Sequence, residues 1–422
     1  MKKEVSMYRK WDFVECVCLS ILLTLPAAVC MAEEIGEIQA LRRAAKDEMA
    51  QEAKEDTREE AFTSGALGLQ KLNPEISVTG DMLWTCSDSE TMDKKSDFIL
   101  RGLSIHAEAY LDPYTRFKAA FSMDEHDMHL GEAYMTRFGI LPNVNLTLGK
   151  FRQQFGVVNR WHKHGLDQVD FPLALRQIFG PGGLNQTGAS LDGTMPEVVG
   201  CSQELLVQVT DGENGRVFAE NAENNPSVLG RYKVFRDLSA STYAELGFSG
   251  LYGRNNEWAV GEETIDEALG AWVLGADLTV MWEPTDKMRY RNVTWRTEAY
   301  ALNKDILAPD GSGEDTINAW GLYSYLESKV SRSVVLGVRG DYFEPDVKGY
   351  ANSEAVSFSP LAVTEDGANR WQVSPYITWY QSPFVHFRAE YNHQEGDGTG
   401  ADEDVLWLQC IFAAGPHKHE RY

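Results

Sequence analysis

Strand-like segments recur from Ile76 to Phe412, and the links between them alternate between very short turns and longer polar loops. A closed outer-membrane barrel needs an even number of strands, tight turns on the periplasmic side and long loops outside. Every proline-containing or two-residue turn, such as Asp112-Pro113 and Ser331-Arg332, falls on one side of this alternation. We therefore predict an all-β fold, a transmembrane antiparallel β-barrel of about 16 strands. Because Gly188–Gly193 is a weak segment, roughly fourteen or eighteen strands are alternatives.

Several segments carry apolar residues at every second position, which is the period of a strand. Leu103, Ile105 and Ala107 share one such face, and Trp272 and Leu274 share another. In a membrane barrel this face contacts lipid, and charges belong on the opposite face, which lines the lumen. The residues predicted to line the pore are His106, Glu108, Arg116, Lys118, Arg296, Glu298, Arg339, Asp341, Arg388 and Glu390.

Six of these lining residues form basic and acidic pairs at two-residue spacing. The pairs are Arg296/Glu298, Arg339/Asp341 and Arg388/Glu390. They predict a charged, hydrated wall with local transverse fields. The alternative is a lumen that only solvates its charges, each arginine being neutralised by its acidic neighbour.

Residues 1–32 have the features of a signal peptide. Basic residues near the start precede an apolar stretch at Val17–Val29, and Ala32 could end the segment. A lipoprotein would use Cys30 as the acylated residue, but the valine before it fits that signal poorly. No later apolar run is long enough for a membrane helix, so any membrane insertion is expected to use strands.

Residues 33–71 are predicted to form a periplasmic helix and linker, followed by an outer-membrane barrel over 72–422. The stretch Glu33–Glu60 is rich in helix-forming residues and lacks glycine and proline after Gly36. Its roughly heptad spacing leaves two interpretations, a solvated helix and a short oligomerising coil.

Composition limits the possible partners and chemistry. A formal net charge of −24 argues against nucleic acid as a partner. After export the remaining cysteines are Cys86, Cys201 and Cys410, and the predicted topology brings no two of them together. No nucleophile elbow, phosphate loop or metalloprotease motif is present, so neither an enzyme nor a cofactor is expected.

One link, Phe155–Thr187, is the longest of the predicted links. A link of this length inside a compact fold usually has a function. The third outer loop of a sixteen-stranded pore can fold inward and narrow the lumen, where basic residues attract anions. The residues predicted for this constriction are Arg152, Arg160, His162, Lys163, His164 and Arg176. The alternative is an ordinary surface loop with scattered charge.

Short blocks of sequence in and around this link are similar to a family of Gram-negative porins. The blocks are Leu72–Val78, Gly149–Arg152, Asn159–His162, Gly183–Asn185 and the ending Gly415–His417. In them the chain resembles the phosphate-selective porins (porin O/P-like). The resemblance implies a barrel in the bacterial outer membrane and a homotrimer. It does not transfer a substrate, because the basic ladder of a phosphate channel has no residue-by-residue match here.

Histidines beside acidic residues raise metal binding as a competing chemistry. They are His126 and His129, His162 and His164, and His417 and His419. Loop histidines without an ordered frame are usually only solvated, so no metal site is assigned.

These features predict an outer-membrane porin for passive diffusion of small hydrophilic solutes or ions, with anions such as phosphate as candidates. The alternative is an outer-membrane metal- or ligand-binding receptor, or a structural protein, with a blocked lumen.

Overall fold

The computed structural model describes residues 75–88, 95–124, 127–212, 214, 216–218, 226–260, 263–287, 290–307, 314–346, 369–397 and 402–415. The chain divides into two units, Met1–Asn73 and Pro74–Tyr422, and every described residue belongs to the second. The predicted signal peptide, periplasmic helix and linker lie outside the described residues, as do the two histidines near the end of the chain.

The second unit is a closed antiparallel barrel of sixteen strands, so the predicted fold and strand number are confirmed. The strands are β1 (Glu75–Ser87), β2 (Ser96–Asp112), β3 (Thr115–Met123), β4 (Met128–Leu141), β5 (Val144–Arg152), β6 (Asn185–Val198), β7 (Cys201–Thr210), β8 (Ser227–Ser239), β9 (Thr242–Val260), β10 (Glu263–Trp282), β11 (Asn292–Leu307), β12 (Glu314–Lys329), β13 (Val334–Asp346), β14 (Arg370–Tyr380), β15 (Val385–Gly396) and β16 (Glu403–Ala414). Each pairs with its neighbours in sequence, and β1 closes the barrel on β16 with Val78 opposite Ala414. The weak segment Gly188–Gly193 lies within β6.

Two links differ in length from those that the apolar pattern predicts. The alternation of apolar residues predicts that one strand ends at Tyr252 and that the next begins at Leu269. In the structure, backbone pairing continues beyond both residues, so that only residues 261–262 separate β9 from β10. On the opposite side, residues 283–291 join β10 to β11, where the sequence indicates the short turn Pro284-Thr285-Asp286. Apolar periodicity is therefore a poor guide to strand ends, because backbone pairing does not depend on it.

The two faces of the barrel wall differ in polarity as predicted. In β10, Trp272 and Leu274 are exposed on the outer face, whereas Val273 and Asp277 are buried on the inner face. Further exposed apolar residues occur on the other strands around the barrel. A closed barrel pairs its backbone groups internally, so an outward apolar band suits it to lipid hydrocarbon. The protein is therefore a barrel of the bacterial outer membrane.

The loop between β5 and β6, which we call L3 (Gln153–Leu184), lies inside the barrel. It contains two 3-10 turns, Val158–Arg160 and Lys163–Gly165, and one helix, α1 (Leu173–Phe179). Helix α1 contacts β11, β12 and β13. Among the residues that the structure describes, no helix is long and apolar enough to cross a membrane.

The apolar core of the molecule lies within the barrel. L3 contributes fully buried side chains such as Phe155, Phe171 and Ile178, and the loop between β7 and β8, which we call L4, contributes Val217 and Phe218. These residues pack in one cluster with apolar residues on the inner face of β7 to β13. Removing one such side chain from water contributes about 1.5–3 kcal/mol. Packing of this kind accounts for the ordered inward position of L3.

Candidate pore constriction

The base of L3 is closed by Asn159. Its side-chain amide donates to the carbonyls of Gln153 (2.7 Å) and Leu184 (3.0 Å), and its Oδ1 accepts from the Leu184 N–H (2.8 Å). The Gln153 N–H also donates to the Leu184 carbonyl (3.2 Å). One buried asparagine, which is both donor and acceptor, therefore fixes where L3 leaves and rejoins the wall.

Glu298 on β11 holds the first turn of L3. Its carboxylate accepts hydrogen bonds from the N–H groups of Val157 and Val158 (3.1 Å each) and from the hydroxyls of Tyr300 (2.7 Å) and Tyr323 (2.6 Å). A hydrogen bond to a charged group contributes about 1.5–3 kcal/mol. This buried carboxylate is thus a strong attachment point for the loop.

Gly156 allows the loop to pass close to that carboxylate. Its φ of +62° lies in the left-handed region, and a Cβ at this position would collide with Glu298. Its N–H donates to Ser249 Oγ (3.2 Å). Glycine is the residue that adopts this conformation without steric cost.

The other two charged pairs hold the middle of L3, residues 166–173, which we call its tip. Arg339 donates to the Asp170 carbonyl (2.9 Å), and Asp341 accepts from the Leu173 N–H (2.8 Å). Arg388 likewise donates to two L3 carbonyls, at 2.9 and 3.0 Å, and Glu390 accepts from an L3 N–H at 2.8 Å. The arginines therefore bind carbonyl groups and the carboxylates bind N–H groups of the same loop.

All six paired residues face the barrel interior, as the alternation predicts, but each is 5% exposed or less. The predicted hydrated wall is absent at these pairs because L3 covers them. Arg296, the partner of Glu298 in its pair, lies over the ring of Trp161, 4.7 Å from its centroid, and near Asp167 (3.9 Å). The three pairs hold L3, and direct contact between them and a solute stays a prediction.

The tip of L3 also meets the two strands that flank the closing β1–β16 pair. Arg388 donates to Gln409 Oε1 (2.7 Å), and Gln409 donates to Asp81 (2.9 Å). Asp81 accepts from Arg101 Nε (2.9 Å), and Arg101 donates to the Val169 carbonyl in L3. One polar network therefore links β15, β16, β1 and β2 to the tip of the loop.

Two predicted constriction residues, Arg152 and His162, have structural partners. The Arg152 guanidinium donates to the Trp161 carbonyl (3.1 Å) and to the Gly182 carbonyl (2.8 and 2.9 Å). His162 Nε2 lies 2.9 Å from Glu132 Oε2, and Lys118 Nζ lies 3.5 Å from the same oxygen. Burial lowers the pKa of His162, although Glu132 opposes this shift, so the ring is neutral at pH 7. Arg152 therefore stabilises L3.

The structure also brings the predicted residues His106, His162 and His164 together. Their ring centroids are separated by 4.9 to 5.4 Å. Within the described part of the chain, no group of three or more histidine, cysteine, aspartate or glutamate residues is arranged to hold a metal ion. The pair His126 and His129 is only partly described.

Lys163, Asp170 and Arg176 form a partly exposed ion cluster on L3. Lys163 Nζ is 3.4 Å from Asp170 Oδ1, and Arg176 NH1 is 3.8 Å from Asp170 Oδ2. Burial opposes ionisation of Asp170, but Lys163, Arg176 and Arg101 together hold its pKa below the ordinary value. The carboxylate is therefore charged at neutral pH.

The remaining predicted residues lie on the strands of the barrel wall or on L3 itself. Arg116 NH1 is 3.7 Å from Glu108 Oε1, and both side chains are about one-fifth exposed, at 22% and 19%. Lys118 is buried, and Arg160 is partly exposed. Glu132, which anchors His162, was missed among the residues predicted from the sequence. The signal available was its position two residues from Tyr134 on the inner face of β4.

Comparison with known proteins supports the fold. No family model matches the chain. A stretch of 127 residues, 30% of this chain, is 28% identical to an uncharacterized protein of Aquifex aeolicus, and the match covers only 26% of that relative's length.

Three solved structures share the barrel. The anion-selective porin from Comamonas acidovorans has 8% identity, with 81% of this chain and 99% of that chain covered and a TM-score of 0.53. The outer membrane channel DcaP of Acinetobacter baumannii has 11% identity, coverage of 81% and 97%, and a TM-score of 0.51. The trimer form of OmpT of Vibrio cholerae has 11% identity, coverage of 81% and 99%, and a TM-score of 0.51. These similarities support the porin-like fold that the sequence blocks predict.

Proposed function

We propose that this chain is an outer-membrane channel through which small hydrophilic solutes diffuse passively, with L3 as its constriction. The carrying observation is the exposure of Lys163, Asp170 and Arg176, whose side chains are 33%, 30% and 29% exposed on a loop within the barrel. Water therefore reaches this face of L3. A polar solute that follows the same route needs only weak contacts. The neighbour named an outer membrane channel supports this proposal.

Single-channel recording in a planar lipid bilayer tests the channel. The purified full-length protein is expected to insert with stable conductance steps. A protein that inserts as a folded, heat-modifiable barrel but carries no current would overturn the proposal.

Anions, including phosphate, are proposed as the favoured solutes. Three basic L3 residues, Arg160, Lys163 and Arg176, are partly exposed, whereas the acidic residues under L3 are occupied by backbone N–H groups and arginines. Replacing the three by glutamine should lower the chloride-to-potassium permeability ratio, measured from the reversal potential in a salt gradient. The control is Lys287→Gln, a charge outside L3. An unchanged ratio in the triple variant would remove the anion preference.

A barrel with a blocked lumen, in a structural or ligand-binding role, is the second candidate. It is favoured by the apolar core that L3 and L4 build inside β7 to β13. Bilayer recording separates the two candidates, because a barrel with a blocked lumen gives no current.

A homotrimer is part of the proposal, supported by the OmpT neighbour that is described in a trimer form. Analytical ultracentrifugation in detergent should give three chains per particle, and a monomer would refute this assembly.

A further inference from the structure

One link at the periplasmic end of the barrel differs in length from its neighbours. Residues 283–291 join β10 to β11, whereas the other six links at this end have two to four residues each. Short turns are the rule on the periplasmic side of an outer-membrane barrel. The longer link is therefore unusual at this end, and its side chains indicate what it can bind.

This link is ordered by its own backbone and by the neighbouring turn. The Lys287 N–H donates to the Pro284 carbonyl (2.9 Å), and the N–H groups of Tyr290 and Arg291 donate to the Lys287 carbonyl (2.8 and 2.9 Å). Arg332, in the turn between β12 and β13, lies 4.5 Å from the centroid of the Tyr290 ring and donates to its hydroxyl. Lys287, Arg291 and Arg332 are therefore brought together at one place on the rim, which we call the basic patch.

All three cations of the basic patch are exposed. The Lys287 ammonium lies 3.8 Å from the carboxylate of Asp286, and both side chains are more than half exposed, so water screens this pair. Arginine and lysine each offer several N–H donors and no acceptor. The patch therefore presents donors to a negatively charged group, although the chain as a whole carries a formal net charge of −24. The local field decides which partner is attracted.

The outer face of the barrel wall beside this patch is apolar. Trp295, Leu326 and Val338 pair directly across β11, β12 and β13, and all three are exposed. Trp282, at the end of β10, is exposed as well. Tryptophan is typical of the boundary between the hydrocarbon and the headgroups of a membrane. Exposed cations and a lipid-facing apolar surface therefore meet at the periplasmic boundary of the membrane.

We propose that the basic patch binds the phosphate of an anionic phospholipid in the periplasmic leaflet, with the acyl chains of that lipid on the outer face of β11 to β13. Arginine binds phosphate through paired N–H groups, and lysine adds a point charge. Basic residues next to a membrane-spanning segment attract anionic headgroups in the same way. An anionic phospholipid matches both the charge of the patch and the apolar wall beside it, whereas a soluble anion matches only the charge. The site lies outside the lumen, so it does not rest on the proposed channel function.

Native mass spectrometry of the detergent-solubilised full chain measures the binding of individual lipid molecules. Phosphatidylglycerol, which is anionic, should bind about 100-fold more tightly than zwitterionic phosphatidylcholine, because each cation near an anionic lipid contributes about fivefold. The combined variant Lys287→Gln, Arg291→Gln and Arg332→Gln should lose this preference. Each single substitution should lower the preference about fivefold, so the test does not depend on folding of the combined variant.

A matched control removes the same charge from three other strands, β4, β8 and β9. It combines Arg137→Gln, Arg236→Gln and Arg254→Gln. This control should keep the preference for phosphatidylglycerol. Equal losses in the control and in the patch variant would show that only the net charge matters and would overturn the site. A folded, heat-modifiable patch variant that still prefers phosphatidylglycerol would overturn it as well.

Two competition measurements test whether the partner is a lipid. Glycerol phosphate, which has the charged group without acyl chains, should not displace phosphatidylglycerol at equal concentration, and displacement would overturn the contribution of the apolar wall. Co-sedimentation with purified peptidoglycan should not differ between the wild type and the patch variant. Loss of co-sedimentation in the patch variant, with phosphatidylglycerol binding unchanged, would replace the lipid by a cell-wall partner.

Discussion

Replacing Glu298 by glutamine tests whether this carboxylate holds L3 in the barrel. The amide keeps the size of the side chain and can still accept from Val157 and Val158 through one oxygen. It loses the negative charge, and its nitrogen faces the Tyr300 hydroxyl, which can no longer donate there. Loss of the charge weakens each of the two N–H hydrogen bonds by about 1 kcal/mol, and loss of the hydrogen bond from Tyr300 costs a similar amount. Docking of the first turn should therefore weaken by about 2–3 kcal/mol.

Native-state hydrogen exchange of the Val157 and Val158 amides measures this docking directly, because local opening sets their rate. Since about 1.4 kcal/mol is a factor of ten, exchange should accelerate about 30- to 140-fold. Glu344→Gln is the control, as Glu344 also accepts from a tyrosine hydroxyl, that of Tyr342 (2.8 Å). Acceleration of less than about threefold over this control would refute the assignment of Glu298 as the attachment point.

Three further predictions concern the same loop. Gly156→Ala should also loosen the first turn, by about 1–2 kcal/mol for the left-handed backbone, seen as faster exchange over that turn; unchanged exchange would contradict the strain. Because burial lowers the pKa of His162, the undocked loop binds a proton more readily, so docking should weaken as pH falls through about 6.5. Channel-current noise should therefore rise below that pH, and His162→Gln should remove the trend; noise independent of pH would contradict it. Arg388→Gln leaves two L3 carbonyls without their donor and should increase single-channel conductance, whereas an unaltered conductance would show that the loop tip does not limit the lumen.

The barrel was predictable because its signals are local. Side-chain alternation has a period of two residues, and turn residues such as those at Asp112-Pro113 act within a few positions. Together they indicate the strand number and the side on which each link lies. The length of Phe155–Thr187 also distinguishes that link from all the others in the sequence.

The contacts of L3 were not predictable, because they join residues far apart in the chain. Glu298 and Val157 are separated by 141 positions, and an arginine–glutamate pair has the same sequence whether water or a loop covers it. One signal was present in Ala271-Trp272-Val273-Leu274, which is apolar on both faces. Such a run is typical of a strand covered on both sides, and it indicates that something packs inside the barrel.

The network between L3 and the closing strand pair has a consequence for assembly. The tip of L3 bonds to Arg101 on β2 and Arg388 on β15, which belong to opposite ends of the chain. Such distant contacts form late, since loop-closure entropy must be overcome first. The tip cannot dock before both ends of the chain arrive, so we expect that joining the last strands and seating the loop occur as one cooperative step. Refolding of Arg388→Gln, measured by heat modifiability, should then be slower than refolding of the wild type. An equal rate would show that strand joining and loop docking are separate steps.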